Sequence, residues 1–171
     1  MSHLVLTTRF GKVTLSWNGD KPEGIHMGTF APRREGEAVL VEGEPPGGEG
    51  TKLARELQAY FEGTLKTFSV RLGTDEYTPF HRDVWAVTRE IPYGETWTYG
   101  EIAHTVGSPN GARAVGGAMA NNPFPIVIPC HRVLGANGAL TGFGPGLAWK
   151  QALLEWEGAL NVLPFERSKN T

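Results

Sequence analysis

Hydrophobic positions change their spacing part-way along the chain, and the change separates a β-rich opening from a helical remainder. Residues 4–8 and 12–17 are short β-prone runs joined around Gly11. Asn18-Gly19 then marks a hairpin, because a two-residue turn needs backbone angles that Asn and Gly tolerate; a third run follows near Ile25. Residues 31–50 are rich in Pro, Gly and Glu and predict a loop with at most one short strand, over 38–41. In 52–61 the pattern turns helical: Leu53, Leu57, Tyr60 and Phe61 recur on one face, and Gly63 follows as a stop. Residues 68–72 predict a last strand. The opening section therefore predicts a small α/β domain with no catalytic motif.

A boundary falls in the polar stretch 73–79, which ends in a Thr-Pro helix start, and divides the chain into 1–76 and 77–171. Beyond it Phe80, Val84, Trp85, Val87 and Ile91 form a helical stripe, stopped by Pro92-Tyr93-Gly94. A second short helix over 99–106 has Thr98 as its N-cap. Residues 107–110 make a turn, and a third helix over 112–121 contains Gly116-Gly117. Helix, short turn, small-residue helix is the outline of a helix-turn-helix, although many helical hairpins share it. Asn122-Pro123-Phe124-Pro125 forces an extended chain. The apolar run 126–133 follows and contains Pro129-Cys130-His131-Arg132. A Gly-rich loop at 135–146, a closing helix over 147–157 capped by Gly158, and a polar end at 168–171 complete the chain.

Composition alters this picture little. With 171 residues, 40% apolar and 20% charged, the chain sits in the range of ordinary globular proteins. No apolar run of about 18 residues predicts a membrane helix. The N-terminus lacks the pattern of a signal peptide, so the expected address is cytoplasmic. The net charge of −2 argues mildly against nucleic acid, because phosphate contacts favour a basic face. Residues 1–79 hold nine Lys/Arg against eleven Asp/Glu, and residues 80–150 hold five against four, with no strong basic patch.

The chemistry gathers at the only cysteine, Cys130. One cysteine makes neither an intramolecular disulfide nor a cysteine-rich zinc site, and the five histidines lack metal-ligand spacing, so no metal or cofactor is expected. A lone cysteine is as readily a small core hydrophobe. His131 beside it supplies a base, but neighbours on an extended strand face opposite ways. A tight turn or helix start after Pro129 is needed to bring the two to one site. A helix N-terminus, with His131 and Arg132, would then stabilise a thiolate.

The string Ile126-Val127-Ile128-Pro129-Cys130-His131-Arg132-Val133 closely resembles the active-site signature of the O6-alkylguanine-DNA alkyltransferases. The resemblance extends over residues 80–158. It includes Thr98-Tyr99-Gly100-Glu101-Ile102-Ala103, Arg113-Ala114-Val115-Gly116-Gly117-Ala118-Met119, Asn122-Pro123, Leu147-Ala148-Trp149-Lys150 and Trp156-Glu157-Gly158. The first 79 residues resemble the family only in general plan. The resemblance implies an α/β (α+β) fold: a small ribonuclease-H-like domain, then a mainly helical, winged-helix-like domain with a helix-turn-helix. It implies single-turnover removal of an alkyl group from O6-alkylguanine, and from O4-alkylthymine, in duplex DNA onto Cys130, by a monomeric protein.

The roles it implies are as follows. Cys130 accepts the alkyl group, His131 acts through a water as base, and Glu157 orients His131. Tyr99 hydrogen-bonds the base and helps protonate the departing guanine. Gly144 offers a backbone N–H to O6, and the carbonyls of Cys130 and Val133 accept from the guanine amino group. The target nucleotide must leave the stack, and Arg113 fills its place. Met119 and Phe143 line the pocket, Asn122 ties the recognition helix to the active-site strand, and Lys150 lies near the site without an assigned role. Phe143 stands where many members have tyrosine, which touches substrate range rather than reaction. Three other readings remain at the level of sequence: a sensor that flips alkylguanine without repairing it, a Cys-His hydrolase, and a helix-turn-helix regulator. Cys130 argues against the sensors, which carry tryptophan at this place. A hydrolase would draw its histidine from far along the chain, and a regulator leaves Pro129-Cys130-His131-Arg132 unexplained.

Overall fold

The computed structural model describes residues 2–34 and 36–159. They form two compact units, divided between Glu76 and Tyr77. The polar end expected at 168–171 lies outside the described residues.

The first unit is an antiparallel sheet with one helix. Strands β1 (Ser2–Thr8), β2 (Gly11–Asn18), β3 (Lys21–Phe30) and β4 (Leu40–Glu42) stand in the order β3-β2-β1-β4. Two-residue turns set the register, pairing Thr8 with Gly11 and Asn18 with Lys21. Gly19 takes a φ of +62°, the left-handed angle behind the Asn-Gly signal. Alternation then buries Leu4, Leu6, Val13, Leu15 and Trp17. Helix α1 (Gly48–Phe61) contributes Leu53, Leu57, Tyr60 and Phe61 to the core.

The strand expected over 68–72 does not form. A strand needs its amides in a ladder, and these amides are taken by carboxylates of α1. Glu56 accepts from the backbone N–H of Ser69 (3.1 Å) and Val70 (2.9 Å) and from the Ser69 hydroxyl (2.9 Å). Glu49 accepts from the N–H of Arg71 at 2.8 Å.

The second unit opens with helix α2 (Pro79–Arg89), whose N-cap is Thr78 with proline at the first helical position. Strand β5 (Trp97–Thr98) leads into α3 (Tyr99–Thr105). A full capping box fixes where α3 starts: Thr98 Oγ1 accepts from the Glu101 N–H at 3.1 Å, and Glu101 Oε1 accepts from the Thr98 N–H at 3.0 Å. The cap determines that Tyr99 is the first helical residue. After a turn through Gly107 (φ +82°) comes α4 (Ala112–Ala120). Its position on α2 is fixed by Trp85, whose indole N–H donates to the Ala118 carbonyl at 2.9 Å.

The apolar run 126–133 contains the turn after Pro129 that the sequence required. Ile126 sits at φ +79° and is fully buried, a strained angle for a β-branched residue that its packing sustains. The Ile128 N–H turns back to the Phe124 carbonyl (2.9 Å), and Cys130–Arg132 wind into one turn of 3-10 helix. The short strand β6 (Val133–Leu134) then pairs in parallel with β5, Trp97 with Val133 and Thr98 with Leu134. Helix α5 (Leu147–Trp156) closes the unit, with Glu157 as its C-cap. The whole is of the mixed α+β class expected. Among the described residues no helix is long and apolar enough to cross a membrane.

Candidate active site

Cys130 opens the 3-10 turn and is 7% exposed. Asn122, just past the C-terminus of α4, reaches it directly. The Asn122 side-chain amide donates to Cys130 Sγ (3.2 Å) and to the Ile128 carbonyl (2.9 Å), while its oxygen accepts from the Phe124 N–H (2.8 Å). One side chain thus joins the end of α4 to the cysteine turn.

The thiol differs from its sequence expectation. Burial pushes it up to about 11, against the pull of the Asn122 hydrogen bond and the Lys150 charge. The turn is a single three-residue 3-10 turn, without the aligned peptides of a long helix. Nor does Arg132 support a thiolate. It points away, donating to the Ile91 carbonyl (2.7 Å) and forking onto Glu157, from Nε to Oε1 at 2.7 Å and from Nη2 to Oε2 at 3.0 Å. Its guanidinium also lies over the Tyr93 ring, 5.7 Å from the centroid.

His131 is fully buried, with Nε2 2.8 Å from Glu157 Oε2. Burial drives the imidazole below its usual range, and Glu157 opposes this. On Glu157 burial pushes upward, but His131 and Arg132 outweigh it and hold the carboxyl well below the ordinary range. An ionised carboxylate only accepts hydrogen bonds, which places the imidazole proton on Nε2. Nδ1 then carries a lone pair, and it has no hydrogen-bond partner among the described residues.

Lys150 is fully buried. Its Nζ donates to the carbonyls of Val133 (2.7 Å), Thr141 (2.7 Å) and Gly142 (3.5 Å), clamping the glycine-rich loop to β6. Burial pulls the amine down to about 8, which the neighbouring Cys130 resists.

These groups stand behind one wall of a cleft of about 370 Å³, lined by Tyr99, Gly116, Met119, Ala120, Cys130, Gly142, Phe143 and Gly144. Burial raises the Tyr99 phenol above its ordinary range, with nearby Thr141 opposing the rise and Cys130 adding to it. Of the residues expected at the site, Tyr99, Met119, Cys130, Phe143 and Gly144 line the cleft. His131, Glu157, Asn122, Val133 and Lys150 do not. His131 and Glu157 form a buried pair with Arg132, Asn122 contacts the thiol, and the Val133 carbonyl already accepts from Lys150. Arg113 is exposed on α4.

Sequence reasoning missed the fork of Arg132 on Glu157 and the clamp of Lys150 on the Val133 and Thr141 carbonyls. Arg132 was visible only as a neighbour of Cys130, and the turn that separates them carries no motif. Chemically, the arrangement offers a shielded thiol at a cleft wall, a neutral base in the same turn, and a phenol on the cleft.

The family model for the DNA-binding domain of 6-O-methylguanine DNA methyltransferase matches residues 79–159. The methylated-DNA–protein-cysteine methyltransferase of Methanosarcina acetivorans is 55% identical over 108 residues, 63% of this chain and 69% of that one. That of Mycobacterium bovis is 43% identical over 152 residues, 86% of either chain. Among solved structures, Mycobacterium tuberculosis OGT in complex with DNA superposes with a TM-score of 0.74 at 39% identity, over 95% of this chain and 94% of that chain.

Proposed function

The chain belongs to the methylated-DNA–protein-cysteine methyltransferases, and on that footing we propose how its residues carry out direct reversal of DNA alkylation. The observation that carries the reading is the thiol of Cys130 at the wall of a cleft, hydrogen-bonded by Asn122 and followed in the same turn by His131 paired to Glu157. A thiol pushed up to about 11 is ionised only on the order of one part in ten thousand at pH 7. Its proton must therefore leave as attack proceeds. His131 Nδ1 takes it through a water, and Glu157 stabilises the imidazolium that forms. Sulfur bonds the alkyl carbon, the carbon–O6 bond breaks, and its electron pair passes to the guanine, which takes a proton from Tyr99. The proton held by His131 is returned through solvent to the phenol. Net, the thiol hydrogen goes to guanine and the thioether is permanent, so each molecule acts once.

The lesion reaches the cleft by leaving the duplex, at a cost of about a few kcal/mol. Arg113, exposed on α4, fills the vacated place. Met119 and Phe143 flank the base, and the backbone N–H of Gly144 meets O6. The carbonyls of Cys130 and Val133 take the amino group, the latter with the lone pair that Lys150 leaves open. O4-alkylthymine presents the same alkyl–oxygen bond and is a second substrate. DNA binding and catalysis belong to residues 77–171, with the α/β domain, 1–76, outside the chemistry. A cytoplasmic location suits an acceptor that must persist as a free thiol.

Transfer of a labelled methyl group from O6-methylguanine duplex to protein tests the reading. Cys130→Ala is expected to abolish labelling while keeping lesion-selective binding. Loss of binding as well would make Cys130 structural, and retained labelling would place the acceptor elsewhere.

A further inference from the structure

Arg132 does not line the cleft, yet it is only 5% exposed, and its guanidinium is always charged. Its surroundings fix it on every side. Nη1 donates to the Ile91 carbonyl at 2.7 Å, and the Tyr93 ring lies 5.7 Å away, its own hydroxyl donating to the Trp156 carbonyl at 3.3 Å. The other two nitrogens fork onto Glu157, Nε to Oε1 at 2.7 Å and Nη2 to Oε2 at 3.0 Å. Oε2 also faces Nε2 of the fully buried His131 at 2.8 Å. Neighbours in a 3-10 turn leave it about 120° apart. The side chains of His131 and Arg132 thus meet again on one carboxylate, from two sides.

Guanidinium and carboxylate cancel, so a neutral imidazole leaves this buried cluster neutral, whereas an imidazolium gives it a net positive charge. Without the guanidinium the balance reverses, because a buried carboxylate is then neutralised by drawing a proton onto His131. We propose that Arg132 is a positioning residue for alkyl transfer: by occupying the Glu157 carboxylate it keeps the resting His131 ring neutral, with its hydrogen on Nε2 and its lone pair on Nδ1. The inference rests on the proposed role of His131 as base, since a ring already protonated cannot take the Cys130 proton. In the transfer that proton passes through a water to Nδ1, and sulfur bonds the alkyl carbon. The carbon–O6 electron pair goes to the guanine, which takes the Tyr99 proton. The imidazolium returns its proton through solvent to the phenolate, a step that Arg132 favours because it repels the charged ring. Every charged group facing His131 enters this balance. Glu157, at the C-cap of α5, draws a proton onto the ring, while Arg132 of its own turn and Lys150 of α5 repel one, as does burial. Cys130 rests as a neutral thiol, and Tyr93, beyond α2, faces Arg132 and Glu157 as a neutral phenol.

Arg132→Gln removes the charge and keeps a donor for Glu157; Arg132→Met is the second neutral variant, used where Arg132→Gln fails to fold. Arg132→Lys keeps the charge and loses the fork. Arg132→Gln combined with Glu157→Gln removes both charges. Two readouts are followed from about pH 5 to 10, the range a perturbed histidine crosses. One is the ring-nitrogen NMR shifts of His131 in DNA-free protein with isotope-labelled histidine, assigned against His131→Gln. The other is single-turnover transfer from saturating O6-methylguanine duplex. At neutral pH the wild type, Arg132→Lys and the double variant are expected to show the neutral ring with its hydrogen on Nε2, and Arg132→Gln the imidazolium. In Arg132→Gln the ring titration and the acid limb of the transfer rate move up together by about one to three pH units. Below that limb transfer falls about tenfold per pH unit. A role in packing alone would slow Arg132→Gln equally at every pH and leave its ring neutral. That result, an equal move of the limb in Arg132→Lys, an imidazolium in the double variant, or an imidazolium in the wild type at neutral pH would each overturn the proposal. If the wild type transfers no alkyl group while its ring titrates as expected, the proposed function fails and the control of His131 by Arg132 stands, so the two failures are distinguishable.

Discussion

Among single residues, Glu157 holds the buried polar cluster together, because it accepts the fork of Arg132 and faces His131 Nε2. Its carboxyl stays ionised well below the ordinary range in the folded state, despite burial. In the unfolded chain it protonates at an ordinary carboxylate pH, so there the unfolded state binds more protons. Stability from this group is therefore full above the ordinary range and is lost as pH falls toward the folded value. Urea midpoints measured from neutral pH down through the carboxylate range should fall steadily in the wild type and less steeply in Glu157→Gln. Parallel slopes would show that another group sets the acid limit. The adjacency of Cys130, His131 and Arg132 was legible in the sequence, and so was Glu157 as the partner of His131. The direction each side chain takes was not. A 3-10 turn sends Arg132 away from the thiol, and burial then decides its ionisation, which no local pattern encodes.

Among elements, helix α4 carries the site outward. Gly116 and Gly117 sit in ordinary helix, and a Cβ at either would meet nothing within 4 Å. Packing of the free protein thus does not require these glycines, which fits the proposal that a DNA backbone approaches this face. Gly117→Leu is expected to stabilise the free protein by up to about 1 kcal/mol, from helix propensity alone. It should weaken duplex binding by about tenfold or more, equivalent to 1.4 kcal/mol. Thermal denaturation and fluorescence anisotropy check the two halves, and unchanged binding would remove this face of α4 from the interface. Helices were read well from the sequence because caps such as Thr78-Pro79 and Thr98 with Glu101 are local. Short extended pieces were not. The run 68–72 looks like a strand but is bound by Glu56, and the β5–β6 ribbon joins two dipeptides about 35 residues apart, too short for periodicity to detect.

For the molecule as a whole, charge says little and arrangement says most. Among the described residues of the second unit, Arg132 and Lys150 are buried and occupied within the protein, so their charge is unavailable to phosphate. The net charge of −2 and these two occupied cations leave the proposed DNA contact of the second unit to exposed residues such as Arg113. Order along the chain identified the family, because several motifs recur in sequence over residues 80–158. The clamp of Lys150 on the carbonyls of Val133 and Thr141 became visible only in three dimensions. The most direct measurement is the intact-protein mass after incubation with excess duplex carrying one O6-methylguanine, followed by peptide mapping. The account predicts one methyl group per molecule, on Cys130, with no turnover beyond it. An unchanged mass despite lesion-selective binding, or a methyl group on any other residue, would contradict it.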